Sequence, residues 1–385
     1  MDRKILVIVG NGFDLHANMK TSYNDFIEYL KNLRQRQYNA IVEHLPSGIE
    51  KGFLGATIKE KVLNFTNVNI WELLFLSCAA VKERKRELFN TPLVNWMDVE
   101  SFMLSLTKDD PLSWKGILFY MDFANRNKVF PGTESLGLGS EHYLLPGLLA
   151  SVFRSNGALQ NELARFYKQS EPFEEFVEFL LRQLKDFEAI FGHFIEDRER
   201  YDQGGRKRRS FIEKMLGNND MVNVYLDSFN YHEGWFDKRT RYINGNYQEP
   251  IFGIDESQLT GKEEWMPLSK SSRRLYFNDA NYVGRRKFDI PDKVYVYGHS
   301  LGRQDYAYFF SLFDAMRLTD PTYTTKVEFH YSEYDPKRGV EIKNEYTKSV
   351  INLFTAYDRR NDIQAPLYTL AQLEVCGRII VKKTD

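Results

Sequence analysis

At 385 residues the chain is long enough for one large or two ordinary domains, and 43% apolar with 27% charged residues is ordinary for a soluble globular protein. A net charge of −1 supplies no field to gather nucleic acid or a membrane surface, so neither is expected as a partner. Two distant cysteines, Cys78 and Cys376, exclude a disulfide framework and a structural zinc site, and no metal is expected.

In chain order, Lys4 to Val9 is a short apolar strand that runs into Gly10-Asn11-Gly12-Phe13-Asp14. Strand, glycine turn and helix make the phosphate corner of doubly wound α/β folds. Without side chains at 10 and 12, backbone N–H groups can approach an anion, and the helix N-terminus adds partial positive charge. The turn lacks the third glycine of the full dinucleotide fingerprint. Thr21 or Ser22 then caps a helix with Phe26, Ile27 and Leu30 on its apolar stripe. From about 31 to 217 the pattern is helical almost throughout, with segments at Val62–Lys85, from Asn95, at Asn161–Gln169 and at Phe173–Phe194, and a glycine-rich stretch over 132–147. Phe176, Phe179, Leu180, Leu184, Phe187, Ile190, Phe191 and Phe194 mark one broad helical face, which predicts long helices packed by aromatic rings.

Strand patterns return late, at Val222–Leu226, Tyr242-Ile243, Ile251-Phe252, Lys293–Tyr297, Lys326–Tyr331 and Arg378–Val381. Helical stretches at Ala307–Met316 and Lys348–Tyr357 separate some of them. Such alternation implies a mostly parallel sheet. The expected fold is therefore α/β: a doubly wound, mostly parallel sheet of Rossmann type from residues 1–30 plus 218–385, with a large α-helical insertion over 31–217. No apolar run approaches the ~18 residues of a membrane span, and the start carries no signal-peptide pattern, so the cytoplasm is expected.

Four strand ends carry small or amide residues: Gly10 to Asp14, Ser228-Phe229-Asn230-Tyr231, Asn244-Gly245-Asn246, and Gly298-His299-Ser300-Leu301-Gly302 with Asp305. Open parallel sheets bind ligands outside the carboxyl ends of their strands, where such residues suit a ribose or an amide. Asn and Gly also serve simply as turn formers. The last segment fits the Gly-x-Ser-x-Gly nucleophile elbow, which makes a serine esterase at Ser300 an alternative, with His330 and Asp305, Asp314 or Asp320 as partners. His232 and His299 are the histidines nearest the proposed pocket. The basic runs Arg206–Arg209, Arg273-Arg274 and Arg285–Lys287 read as solvated loops.

Ile5-Leu-Val-Ile-Val-Gly-Asn-Gly-Phe-Asp-Leu15, followed by Thr21-Ser-Tyr23 and Asp25-Phe26, resembles the opening of the AbiH family, the bacteriophage abortive infection proteins. Trp96-x-Asp98-x-Glu100, Ser228–Tyr231, Phe252-Gly-Ile-Asp255 and Tyr297–Gly302 with Asp305 are similar to its later blocks. That family in turn resembles sirtuin-like NAD-binding domains. The resemblance implies that NAD or a related nucleotide is held by Gly10, Asn11, Gly12 and Asp14 at the phosphates or adjacent ribose. It puts Asn230 on the nicotinamide ribose, Gly298 and Ser300 on the adenosine side, and Asp305 as a brace for that loop. Where the pattern has His-Gly, this chain has Asn244-Gly245. An amide cannot accept a proton near pH 7, so the base would have to be His232 or Asp14. Asn18 stands where the pattern has Gly, and Asn tolerates the left-handed conformation.

The function this implies is an antiphage abortive infection protein with a sirtuin-like nucleotide pocket, extending to NAD hydrolysis with Asn230, Asn244 and His232 as the catalytic set. Cleavage would pass through an oxocarbenium-like ribose that Asn230 and nearby carboxylates stabilise. An alternative is a pocket that binds a nucleotide without cleaving it, with the helical insertion as the working surface. The partners implied are a nucleotide ligand, a phage-derived trigger and a second copy of the chain.

Overall fold

The first strand, β1 (Ile5–Val9), is buried along its whole length because parallel strands flank it on both edges and helices cover both its faces. That position explains its unbroken Ile-Leu-Val-Ile-Val run. The structure, a computed structural model, describes residues 3–44, 68–89, 99–108, 113–127, 144–168, 172–201, 204–217, 223–232, 239–276, 290–333, 336–365 and 367–384. Trp96, Asp98, the basic run 285–287 and most of the glycine-rich stretch lie outside them.

After β1 the described helices are α1 (Asn11–His16), α2 (Tyr23–Leu33), α3 (Gln35–His44), α4 (Ile70–Phe89), α5 (Val99–Leu106), α6 (Trp114–Asn127), α7 (Leu144–Ser155), α8 (Gly157–Tyr167), α9 (Phe173–Tyr201) and α10 (Gly204–Leu216). Strands β2 (Val224–Ser228) and β3 (Thr240–Tyr242) follow, then α11 (Lys270–Tyr276), β4 (Lys293–Tyr297), α12 (Tyr306–Ala315), β5 (Lys326–Tyr331), α13 (Gly339–Arg360), α14 (Tyr368–Val375) and β6 (Ile379–Lys383). The six strands form one parallel sheet in the order β3-β2-β1-β4-β5-β6, the order of a Rossmann-type doubly wound fold.

Period-two alternation divides β1 between two cores. Leu6 and Ile8 pack with Val294, Val296, Val327 and Phe329 beneath α12 and α13. Ile5, Val7 and Val9 pack on the other face with Phe13, Val224, Leu226 and Tyr297 beneath Ile212 and Leu216 of α10. A third core joins α2–α9 and includes the predicted aromatic face of α9, then runs on through Tyr231, Phe252, Ile254 and Trp265. The helical layer therefore packs against the chain that follows β2 and β3.

Local signals hold where they are self-sufficient. Ser22 is the N-cap of α2: its Oγ accepts from Asp25 N–H at 3.2 Å, and its own N–H donates to the Asp25 carboxylate at 3.1 Å. Asn18 is left-handed, at φ 65°. The expected strand at Ile251-Phe252 is not part of the sheet. The Phe252 N–H donates instead to Glu188 Oε1 of α9 at 2.6 Å, and Ile251 N–H bonds back to Asn244 O in a tight turn.

Candidate functional site

The order reverses at β1, between β2 and β4, and the crevice at such a reversal is where open α/β sheets bind ligands. Two loops meet there. The Gly10 N–H donates to Tyr297 O at 3.1 Å, Gly12 N–H to Gly298 O at 2.8 Å, and Phe13 N–H to Gly10 O at 2.9 Å. A Cβ on Gly12 would stand 2.7 Å from Gly298 O, and one on Gly10 would stand 2.7 Å from the His299 Cα. Gly298 is left-handed, at φ 64°, and a Cβ there would strike the Phe13 nitrogen. These glycines let two backbones touch. The N–H groups of Gly10 and Gly12, at the start of the six-residue α1, are spent on that contact. Gly12 and Gly298 form the lock behind the site and are not on its wall.

In front of the lock lies a cavity of about 110 Å³. Gly10, Asn11, Asp14, Asn230, His232, Asn244, Ser300 and Asp305 all line it, so eight of the ten expected residues converge from four strand ends. Thr21, Tyr23, Glu100, Phe191, Ile195, Phe229, Tyr231, His299 and Gln304 complete the wall. The sheet edge and the helical layer thus enclose the site together. Drug-sized ligands occupy roughly 300–1,000 Å³. This cavity is smaller than that range.

Asp14 is 1% exposed. Its Oδ2 lies 2.9 Å from His232 Nδ1, and its Oδ1 accepts from Arg208 Nη1 at 3.2 Å. Burial would raise the Asp14 pKa, but His232 and Arg208 outweigh it and hold the carboxyl below its ordinary value. The approach of His232 Nδ1 to Asp14 is an ion-pair contact and not an aligned hydrogen bond, and Nε2 is the ring's other nitrogen. That nitrogen is buried on the cavity wall and has no hydrogen-bond partner among the described residues. Arg208 belongs to the Arg206–Arg209 run, expected to be a solvated loop. The run lies in α10, and Arg208 is 2% exposed because it shares the inward stripe of Ile212 and Leu216, at i, i+4 and i+8.

Asn230 Nδ2 donates to Gly10 O at 3.0 Å, which ties the end of β2 to the glycine turn. Asn244 Nδ2 donates to Phe229 O at 3.3 Å, while its Oδ1 is buried and without a partner among the described residues. That oxygen is a ready acceptor for a hydroxyl.

On the other side, Leu301 N–H donates to His299 Nδ1 at 2.9 Å. A neutral His299 therefore carries its proton on Nε2, 3.4 Å from Asp305 Oδ2. Asp305 Oδ1 accepts from Lys270 Nζ at 2.5 Å, and the same ammonium lies 2.9 Å from Glu100 Oε2. Burial opposes ionisation of Asp305, but Lys270 and His299 outweigh it and hold its carboxyl well below the usual range. Asp305 does brace the Gly298–Gly302 loop, through His299.

The esterase reading fails on geometry. The left-handed corners are Gly298 and Leu301, on either side of Ser300. The His330 ring is committed to Thr384 Oγ1 at 2.9 Å and Glu328 Oε2 at 3.1 Å, and His232 Nε2 makes no hydrogen bond to Ser300. Arg273 and Arg274 are likewise not solvated: Arg273 pairs with buried Glu188 at 2.6 Å, and Arg274 Nε donates to Ile243 O at 2.9 Å. Sequence reading missed Arg208 and Lys270 as supports of the site. The helical stripe signals the first; nothing local signals the second.

Among the described residues no group of His, Cys, Asp and Glu is arranged to hold a metal ion, and no helix is long and apolar enough to cross a membrane. No curated protein and no solved structure matches the chain. One side of the cavity wall, from Gly10 and Asp14 through Tyr23 to Glu100, comes from the chain's first third. That third is where a known family is recognised: residues 6–133 match the model of the AbiH family, described as bacteriophage abortive infection AbiH.

Proposed function

We propose that this protein is an antiphage abortive infection protein whose pocket takes the ribosyl part of a nucleotide, NAD first among them, and hydrolyses its N-ribosyl bond. The observation that carries the reading is His232, which lines the cavity 2.9 Å from buried Asp14 with its Nε2 unpartnered among the described residues. A bound N-ribosyl pyridinium supplies its own leaving group, since the electron pair of the broken C–N bond neutralises the ring nitrogen while water delivers hydroxide to the carbon. His232 Nε2 accepts the proton that this water loses, and Asp14 stays ionised and stabilises the imidazolium. Asn244 Oδ1 accepts from a ribose hydroxyl, and Asn230 holds the glycine turn against the pocket. The domain division at 1–30 plus 218–385 and 31–217, the cytoplasmic location, the phage-derived trigger and a self-partner belong to the same proposal.

A second reading is favoured by Asn244 in place of a histidine: the pocket binds a nucleotide without turnover, and the helical layer is the working surface. The two separate when purified protein is incubated with NAD and free nicotinamide is followed. Release that is lost in Asn230→Ala and His232→Gln supports hydrolysis. A thermal shift with NAD and no release supports the binder.

A further inference from the structure

We infer that Tyr231 is a specificity-determining residue of this pocket, whose phenol donates a hydrogen bond to a ribosyl or carboxamide oxygen of the bound molecule. The inference rests on the N-ribosyl reading above and names the donor for that substrate. Tyr231 stands between Asn230 and His232 after β2 and lines the cavity with both of them. It is 7% exposed, and its Oη has no hydrogen-bond partner among the described residues. The Tyr23 side chain, on the same wall, is close enough to act on this phenol but not aligned for a hydrogen bond.

The ring is held from both chain and core. Asn230, the preceding residue, is tied to Gly10 O, and its own N–H donates to Ser228 Oγ at 3.1 Å. Phe191 of α9 meets the Tyr231 ring edge to face at 4.8 Å, and Phe252 lies 6.1 Å away. Burial, with the Glu100 and Glu188 carboxylates, pushes the phenol pKa well above its ordinary value, so the group keeps its proton and serves as a donor at neutral pH. Asn244 Oδ1, an acceptor, is unpartnered on the same wall. A buried donor without a partner lowers stability, and phenylalanine fills the same ring space without that cost. A ligand oxygen that accepts from Tyr231 accounts for the hydroxyl. An N-ribosyl nicotinamide carries two kinds of neutral oxygen acceptor, those of the ribosyl group and the carboxamide carbonyl.

Calorimetry on the whole chain, parent against Tyr231→Phe, tests this with two probes that cannot be cleaved at an N-ribosyl bond: ADP-ribose, which carries the ribosyl oxygens, and nicotinamide, which carries the carboxamide. The expected result is that the variant binds at least one probe about three- to tenfold more weakly, while its unfolding midpoint stays level or rises. Weakening with ADP-ribose assigns the contact to the ribosyl group, and weakening with nicotinamide assigns it to the carboxamide. Parent-like affinity for both probes overturns the inference. So does a midpoint lowered by more than about 3 °C, which would make the hydroxyl a structural group. Nicotinamide release from NAD is followed in parallel. Release by the parent with unchanged binding in the variant keeps the hydrolase reading and sinks this one. Weakened binding in the variant without release by the parent keeps this one and sinks hydrolysis. Binding of neither probe to the parent overturns this inference, and if release is absent as well the N-ribosyl reading falls with it.

Discussion

Replacing His232 by Gln keeps roughly the volume of the ring and removes its basic nitrogen. Nicotinamide release is expected to fall by about 10²–10⁴-fold, the usual worth of a positioned base, with the unfolding midpoint near that of the parent. A variant that still turns over at the parent rate would remove His232 from the mechanism. Asp14→Asn acts differently, because it takes from buried Arg208 its nearer carboxylate and leaves Glu199 at 3.8 Å. A loss of about 1–3 kcal/mol is expected in denaturant unfolding near neutral pH. The pH dependence has a definite sign. The folded-state pKa of Asp14 lies below the unfolded value of 3.8, so its stabilisation is present above that pH and fades as pH falls through the lower folded value. The stability gap between parent and Asp14→Asn should therefore stay level from neutral pH down to about pH 4 and narrow only below it. A gap that widens on acidification would contradict the pairing.

Among the elements, the interlocked turns after β1 and β4 make a comparative prediction. Gly298 and Gly217 are both left-handed, at φ 64° and 61°, but among the described residues a Cβ on Gly217 meets no atom within 4 Å while one on Gly298 meets the Phe13 backbone. Gly217→Ala should cost only the roughly 1–2 kcal/mol of a left-handed L-residue. Gly298→Ala should cost clearly more, read from denaturant midpoints, and should disturb the site, since the lock seats Gly10 and His299 on its wall. Equal costs would mean that the two loops do not depend on that close approach. The glycines were legible as a special corner, but their purpose was not. A Gly-x-Gly turn looks the same in sequence whether an anion or another loop fills the space. Arg208 is the opposite case: a basic run suggests solvent, yet its register with Ile212 and Leu216 turns one guanidinium inward.

For the whole molecule, the Glu188–Arg273 pair fastens α9 of the helical layer to α11, which follows β3; the two side chains are 3% and 2% exposed. Glu188→Ala leaves that guanidinium buried and unpaired, and about 3–5 kcal/mol should be lost in chemical unfolding. Replacing both residues by Met should recover most of the loss, because the desolvation cost of both charges then disappears. Failure of the double variant to recover would assign the damage to the Phe252 N–H, which also uses Glu188. By itself the sequence determined the parallel sheet, its helical covering and eight residues of the pocket wall, because alternation, apolar periodicity and strand-end chemistry are local signals. Only the tertiary structure decided that Gly12 and Gly298 close the pocket from behind, that His232 faces Asp14, and that Arg208 and Lys270 stand behind the carboxylates. Those relations join positions roughly 35 to 290 residues apart, and burial of a charge depends on a partner that no local pattern names.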